Sequence, residues 1–140
     1  MNFLLDTNVV SEWVKPQPDA GVVAWLTSVD EDHLFLSVVT LAELRYGIER
    51  LPEGSRRRRL DMWVRDDLPL RFEGRILAVD ALVAEAWGRL TARAQLAGRP
   101  IGAMDGFIGA TTDVHGLTLV TRNVADFALL ANVPLNPWHA

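Results

Sequence analysis

Five side chains in this 140-residue sequence could together do metal chemistry: Asp6, Glu43, Asp105, Asn123 and Asp126. Asp6 ends the apolar run "NFLL", and an ionised carboxylate beside a buried strand is costly unless something compensates it. In open parallel sheets that position faces the crevice at the carboxyl edge, where sites are built. Glu43 falls in the first turns of a helix after a second apolar run, "LFLS"; Asp105 opens a later helix, and Asn123 and Asp126 closely follow "GLTLVT". Three or four oxygen donors in one polar crevice suit Mg²⁺ or Mn²⁺ and require no His or Cys. Plainer employment exists for each. Thr40 and Glu43 have capping-box spacing, and Asp105 at a helix start gains about 0.3–1 kcal/mol from the dipole. Asp6 is the hardest to reassign, because Ser or Thr would cap a helix without placing a charge there.

The elements that position these residues follow from pattern. After strand one, a helix begins near Thr7 or Asn8, either of which could cap it, and stops before "KPQPD". Asp19 is placed to cap a short helix through "AGVVAWLTSV", and "DEDH" turns the chain into strand two. In "SVVTLAELRYGIERL", Val38, Leu41, Leu44 and Ile48 recur at helical spacing. Residues 55 to 67 read as another helix with Arg56 to Arg59 in its first turn, the unfavourable end for cations. "RILAV" is a third strand, and Asp80 can cap a long helix from Ala81 to Ala97 bearing the stripe Val83, Trp87, Leu90 and Ala94. A helix of about ten residues starts near Ala103 or Met104; strand four, a short helix and the extended "VPLNPW" complete the chain. The order predicts one α/β domain over residues 1–140 with a mainly parallel sheet. Neighbouring strands one and four would bring the five residues to one crevice.

Composition narrows the function. The chain has no Cys, 49% hydrophobic and 23% charged residues, and no apolar stretch long enough to span a bilayer. With no secretory leader pattern at its start, a cytoplasmic protein without membrane association is expected. Net charge is −4, but residues 45 to 75 hold nine Arg against six acidic residues. An acidic site beside a basic rim suits an enzyme acting on a polyanion; a solvated helix face explains the cluster equally well. Trp63, Trp87 and the apolar stripe are either core or partner surface, and as partner surface they would give a homodimer.

Other chemistries fit poorly. Position 8 is Asn, so the paired Asp of haloacid-dehalogenase-type phosphatases is missing, and Lys15 is the only Lys, which excludes a receiver-type site. "RPIGAMDGF" lacks both nucleotide-loop spacings. Ser11, Ser28, Ser37 and Ser55 lack the nucleophile-elbow context. His33, His115 and His139 fall near predicted turns or the tail.

The segments "FLLDTNVVSEW", "SVVTLAELRYGIERL" and "AMDGFIGATTDVHGLTLVTRNVADF", in this order and spacing, resemble the PIN-domain family and its VapC-like toxins; the closing "NPW" is similar to the FitB branch. The resemblance covers essentially the whole length. It implies a three-layer α/β/α fold and an Mg²⁺- or Mn²⁺-dependent endoribonuclease, the toxin of a type II toxin-antitoxin pair, held inactive by a small antitoxin. It also implies that Asp6, Glu43 and Asp105 hold the cation, which acidifies water for in-line attack on phosphorus and leaves 5′-phosphate and 3′-hydroxyl ends. The family's fourth acidic position is Asn123 here, a departure that a carbonyl ligand or Asp126 could offset. Thr121 could donate its hydroxyl to a ligand carboxylate. A DNA nuclease and a catalytically silent binding protein are the other readings; the intact Asp6, Glu43 and Asp105 speak against the latter.

Overall fold

The computed structural model describes residues 1–139. Four parallel strands, β1 (Phe3–Leu5), β2 (Leu34–Ser37), β3 (Ile76–Leu77) and β4 (Thr118–Val120), form one sheet in the order β3-β2-β1-β4. The order reverses at β1, which pairs with β2 on one side and β4 on the other, Leu5 lying opposite Val120. The expected adjacency of strands one and four is therefore present. "VPLNPW" contributes only a single parallel bridge, Leu135 to Val120.

Side chains alternate across the pleat, so the strands feed two cores. Phe3, Leu5, Leu34, Leu36 and Val120 point into one, shared with α1 (Thr7–Val10), α2 (Ala20–Ser28) and the helical stretch from residue 55 to 72. Leu4 and Leu119 point into the other, with Leu90 of α6 (Ala81–Leu96), Ile108 of α7 (Ala103–Val114), Phe127 and Leu130. Helices on both faces give a three-layer α/β/α sandwich. Between the layers, α3 (Val38–Glu49) leaves the end of β2, with Ile48 in the first core and Val39 in the second.

Caps explain most helix starts. Asp19 accepts from Gly21 and Val22, and Asp80 from Val83, as the sequence predicts. The first helix differs. Asp6 itself is the cap, accepting from the Thr7 amide at 2.7 Å, so Thr7 and Asn8 lie inside the helix with their side chains free for other work.

The basic helix also runs beyond its predicted end. α4 (Ser55–Met62) passes through a π turn, Trp63–Asp67, into α5 (Leu68–Arg71). Pro69 has no N–H and its ring crowds the carbonyl four residues back, a local cause for widening the ladder just before it. Leu68 accordingly donates to Trp63, five residues back. Of the four consecutive arginines, Arg57 pairs with Glu49 and donates to the Leu51 carbonyl, while Arg56, Arg58 and Arg59 are exposed.

The tryptophans proposed as association surface are engaged internally. Trp63 packs on the first core, and Trp87 stacks on Phe107 at 5.1 Å while donating to the Ala103 carbonyl. Val83, Leu90 and Ala94 are buried. The stripe is core, so it no longer argues for a dimer. On the other face of the sheet, the tail is seated on α2: a Cβ at Gly21 would lie 2.6 Å from the Pro137 carbonyl oxygen. Arg122 covers the Trp138 ring at 4.7 Å.

Candidate metal centre

At the carboxyl edge, β1 delivers Asp6, β4 delivers Thr121, and the start of α3 brings in Thr40 and Glu43. Asp6 is only 4% exposed. Its two oxygens have different partners: Oδ1 accepts from the Thr7 amide, and Oδ2 accepts from Thr121 Oγ1 at 2.8 Å. Thr7 then reaches across to α3, where its hydroxyl donates to Glu43 Oε1 at 2.6 Å and lies 3.0 Å from Thr40 Oγ1. A continuous path of hydrogen bonds thus runs Thr121, Asp6, Thr7, Glu43.

The capping-box explanation of Glu43 is overturned by this geometry. Ser37 caps α3 by accepting from Val39 at 3.0 Å, and Glu43 accepts from Thr7 instead. Burial pushes the Asp6 carboxyl up to about 6; hydrogen bonds from Thr121 and Thr7 pull the other way, and the Asp105 and Glu43 charges push it higher still. Burial also raises Asp105, followed by the charges of Glu43 and Asp126. Like charges that perturb one another in this way share one electrostatic region.

Asn123 and Asp126 occupy a single 3-10 turn after β4, Val124–Phe127. The Asn123 amide donates to Thr121 Oγ1 at 3.0 Å, and the Asp126 amide donates to the Asn123 carbonyl. Both side chains are exposed at the rim, but Asp126 lies near enough to raise Asp105, while Phe127 turns into the core. Thr7, Asn8 and Thr40 were read from the sequence only as helix caps, and their place in the site was missed. Their signal was adjacency, with Thr7 and Asn8 directly following Asp6 and Thr40 one turn before Glu43.

The donor set is hard oxygen throughout, and Asn8 adds a buried Oδ1 with no protein partner beside Thr121. Among the described residues, no three carboxylates are close enough to make a closed cage. Mg²⁺ does not demand one, since it keeps several waters and takes only one or two carboxylates directly. The residues fit such a cation.

Residues 3–132 match the PIN domain family. This chain belongs to it. The sequence is 40% identical to Toxin FitB of Neisseria gonorrhoeae, covering 98% of this chain and 99% of that protein. It is 36% identical to VapC ribonuclease Y4jK of Sinorhizobium fredii, with 97% of each chain covered. Among solved structures, FitAcB from Neisseria gonorrhoeae superposes with a TM-score of 0.92 at 40% identity over 99% of both chains. The protein is therefore a PIN-domain relative of the FitB and VapC toxins, and in such relatives the full domain is shared from β1 to the tail.

Proposed function

We propose that this PIN-domain protein is an Mg²⁺- or Mn²⁺-dependent endoribonuclease and the toxin of a type II toxin-antitoxin pair, with a small antitoxin as its inhibitor. The observation that carries the reading is the Thr121–Asp6–Thr7–Glu43 hydrogen-bond path beside Asp105, which fixes the buried Asp6 and the half-buried Glu43 where a parallel sheet presents its chemistry. The ribonuclease names of the relatives supply the substrate class.

In this reading Asp6 and Asp105 hold the cation, Glu43 holds it or orients water, and Asn123 or Asp126 completes the set. When bound, the cation acidifies water and neutralises charge on the phosphoryl oxygens. The chain's own work is positional. Thr121 fixes one lone pair of Asp6 and the Thr7 amide fixes the other oxygen, so the carboxylate loses its rotational freedom before substrate arrives. The Thr7 hydroxyl fixes Glu43 in the same way, leaving Oε2 for a water proton or the cation. Arginines of the basic segment attract the polyanion without reading bases.

Self-association belongs to the proposal on a different footing from the tryptophans: Leu82, Leu96 and Met104 remain 50–88% exposed on α6 and α7. Light scattering should give a mass above 15.6 kDa at high concentration. Catalysis is tested by incubating purified protein with RNA and DNA of matched sequence in Mg²⁺, Mn²⁺ or chelator. RNA cleavage that needs the cation and leaves 5′-phosphate ends supports the assignment; cleavage confined to DNA, or none, overturns it.

A further inference from the structure

Next to the acidic edge lies a cavity of about 280 Å³, lined by Leu90 of α6, Ala97 at its C-terminal cap, Arg99 and Ile101 of the following connection, Asp126 of the turn after β4 and Leu129 just beyond that turn. Its size is at the small end of the roughly 300–1,000 Å³ of ligand pockets, enough for one flat ring system. The walls are chiefly aliphatic, with Phe127 beneath.

Three observations tie the cavity to the carboxylates. Its wall is the 3-10 turn, and that turn is hydrogen-bonded back to the site: Thr121 Oγ1 donates to Asp6 and accepts from the Asn123 amide, whose carbonyl accepts from Asp126 at 3.0 Å. Asp126 borders the cavity, and its charge is felt at Asp105. Arg99 braces the same turn, its Nη2 donating to the Ala125 carbonyl at 3.3 Å, and Arg93 holds the residues just after it, its Nη2 donating to the Leu129 carbonyl at 3.4 Å. A chiefly aliphatic cavity with a held guanidinium and Asp126 in its lining offers an apolar surface for a base, a cation for the adjoining phosphate and a link to the carboxylates. Single-stranded RNA offers such splayed bases for insertion, and Arg supplies the planar, phosphate-matching cation.

We propose that this cavity receives one nucleobase of a single-stranded RNA, with Arg99 at the adjoining phosphate, so that the base held here selects which phosphodiester lies at Asp6, Glu43 and Asp105. The inference rests on the nuclease reading above. It assigns base selection to α6 and the turn after β4, away from the arginine-rich helix.

The test uses the full-length protein and a single-stranded hexaribonucleotide, together with six copies each carrying an abasic ribose at one position. Fluorescence anisotropy in chelator gives binding, and kcat/KM in Mg²⁺ gives cleavage. One abasic position should weaken binding about tenfold, as should Ala97→Phe, which puts a ring at a lining position of the cavity, and the two together should weaken it no further. Arg99→Ala should weaken binding of every copy. Losses that multiply, or six abasic copies that bind like the parent, would overturn the proposal, as would an Ala97→Phe protein that loses a protein partner while keeping its RNA affinity. Base-dependent binding without cleavage would retain the cavity assignment and remove the nuclease; cleavage without base dependence would do the reverse.

Discussion

Thr121 and Asp6, separated by 115 positions in sequence, meet through a hydroxyl-to-carboxylate hydrogen bond of 2.8 Å that both residues bury completely or nearly so. The contact joins β4 to β1 at the point where the strand order reverses, and it gives the proposed cation ligand Asp6 a fixed direction. Removing the donor should therefore change catalysis more than folding. Thr121→Val keeps the branched shape that the strand needs and should lower kcat about tenfold or more, while Thr121→Ser restores most of it. Steady-state kinetics on the three proteins decide, and equal activity in all of them would show that the bond does not orient Asp6.

Thr7 offers a parallel case on the other side of the same carboxylate. Its hydroxyl is the donor to Glu43, so Thr7→Val should leave the fold intact and reduce activity, with Thr7→Ser close to the parent. Circular dichroism should be unchanged in both. A Thr7→Val enzyme with full activity would assign Glu43 no directed role.

Asp6 also sets a pH dependence. Its carboxyl titrates near 6 in the folded protein against 3.8 for the unperturbed group, so the native state binds its proton more tightly than the unfolded chain does. Stability from this group is then fully present below about pH 4 and lost as pH rises toward 6. At pH 7 the ionised form costs about 2–3 kcal/mol, and Asp6→Asn should raise the melting temperature more at pH 7 than at pH 5. Cation affinity runs oppositely, rising with pH through the same window because the ligand must be deprotonated. A melting-temperature gain that is larger at pH 5 would contradict the burial argument.

Much of this site was legible in the sequence, for reasons particular to each residue. Asp6 stood out because a charge closing an apolar strand has few structural excuses, whereas Thr121 entered only through the family resemblance, and its contact with Asp6 needed the adjacency of β1 and β4 that the structure supplies. Glu43 was ambiguous: its spacing from Thr40 is that of a capping box, and only the three-dimensional approach of Thr7 shows that Ser37 caps and Glu43 is free. The helix after Gly54 was read to residue 67, whereas a π turn carries the helical chain past Pro69 to Arg71. Trp87 was left as core or partner surface because periodicity marks an apolar face without naming what covers it, and Phe107 lies 20 residues away.

The rim residues separate by substitution. Asn123→Asp should raise Mg²⁺ affinity by adding a charge next to Thr121, and Asp126→Asn should lower it by removing a charge that reaches Asp105. Isothermal titration with Mg²⁺ measures both. If Asp126→Asn leaves the affinity unchanged, its carboxylate serves the rim and not the cation.

The seat of the tail gives a stability prediction independent of chemistry. Gly21→Ala would place a methyl 2.6 Å from the Pro137 carbonyl oxygen, too close without displacing the last turn. It should destabilise by about 1–3 kcal/mol, less the fraction of a kcal/mol that Ala gains in a helix. Urea denaturation gives the value, and an unchanged midpoint would mean that the tail contributes little to the fold.

The most direct measurement pairs RNA cleavage with Mg²⁺ titration on the parent protein, Asp6→Asn and Asp105→Asn, all prepared free of contaminating nuclease. The parent should cleave in Mg²⁺ and stop in chelator, while each variant should remain folded, bind Mg²⁺ at least tenfold more weakly and cleave at least a hundredfold more slowly. Full activity in both variants, or cleavage by the parent that persists in chelator, would contradict a cation held by these carboxylates.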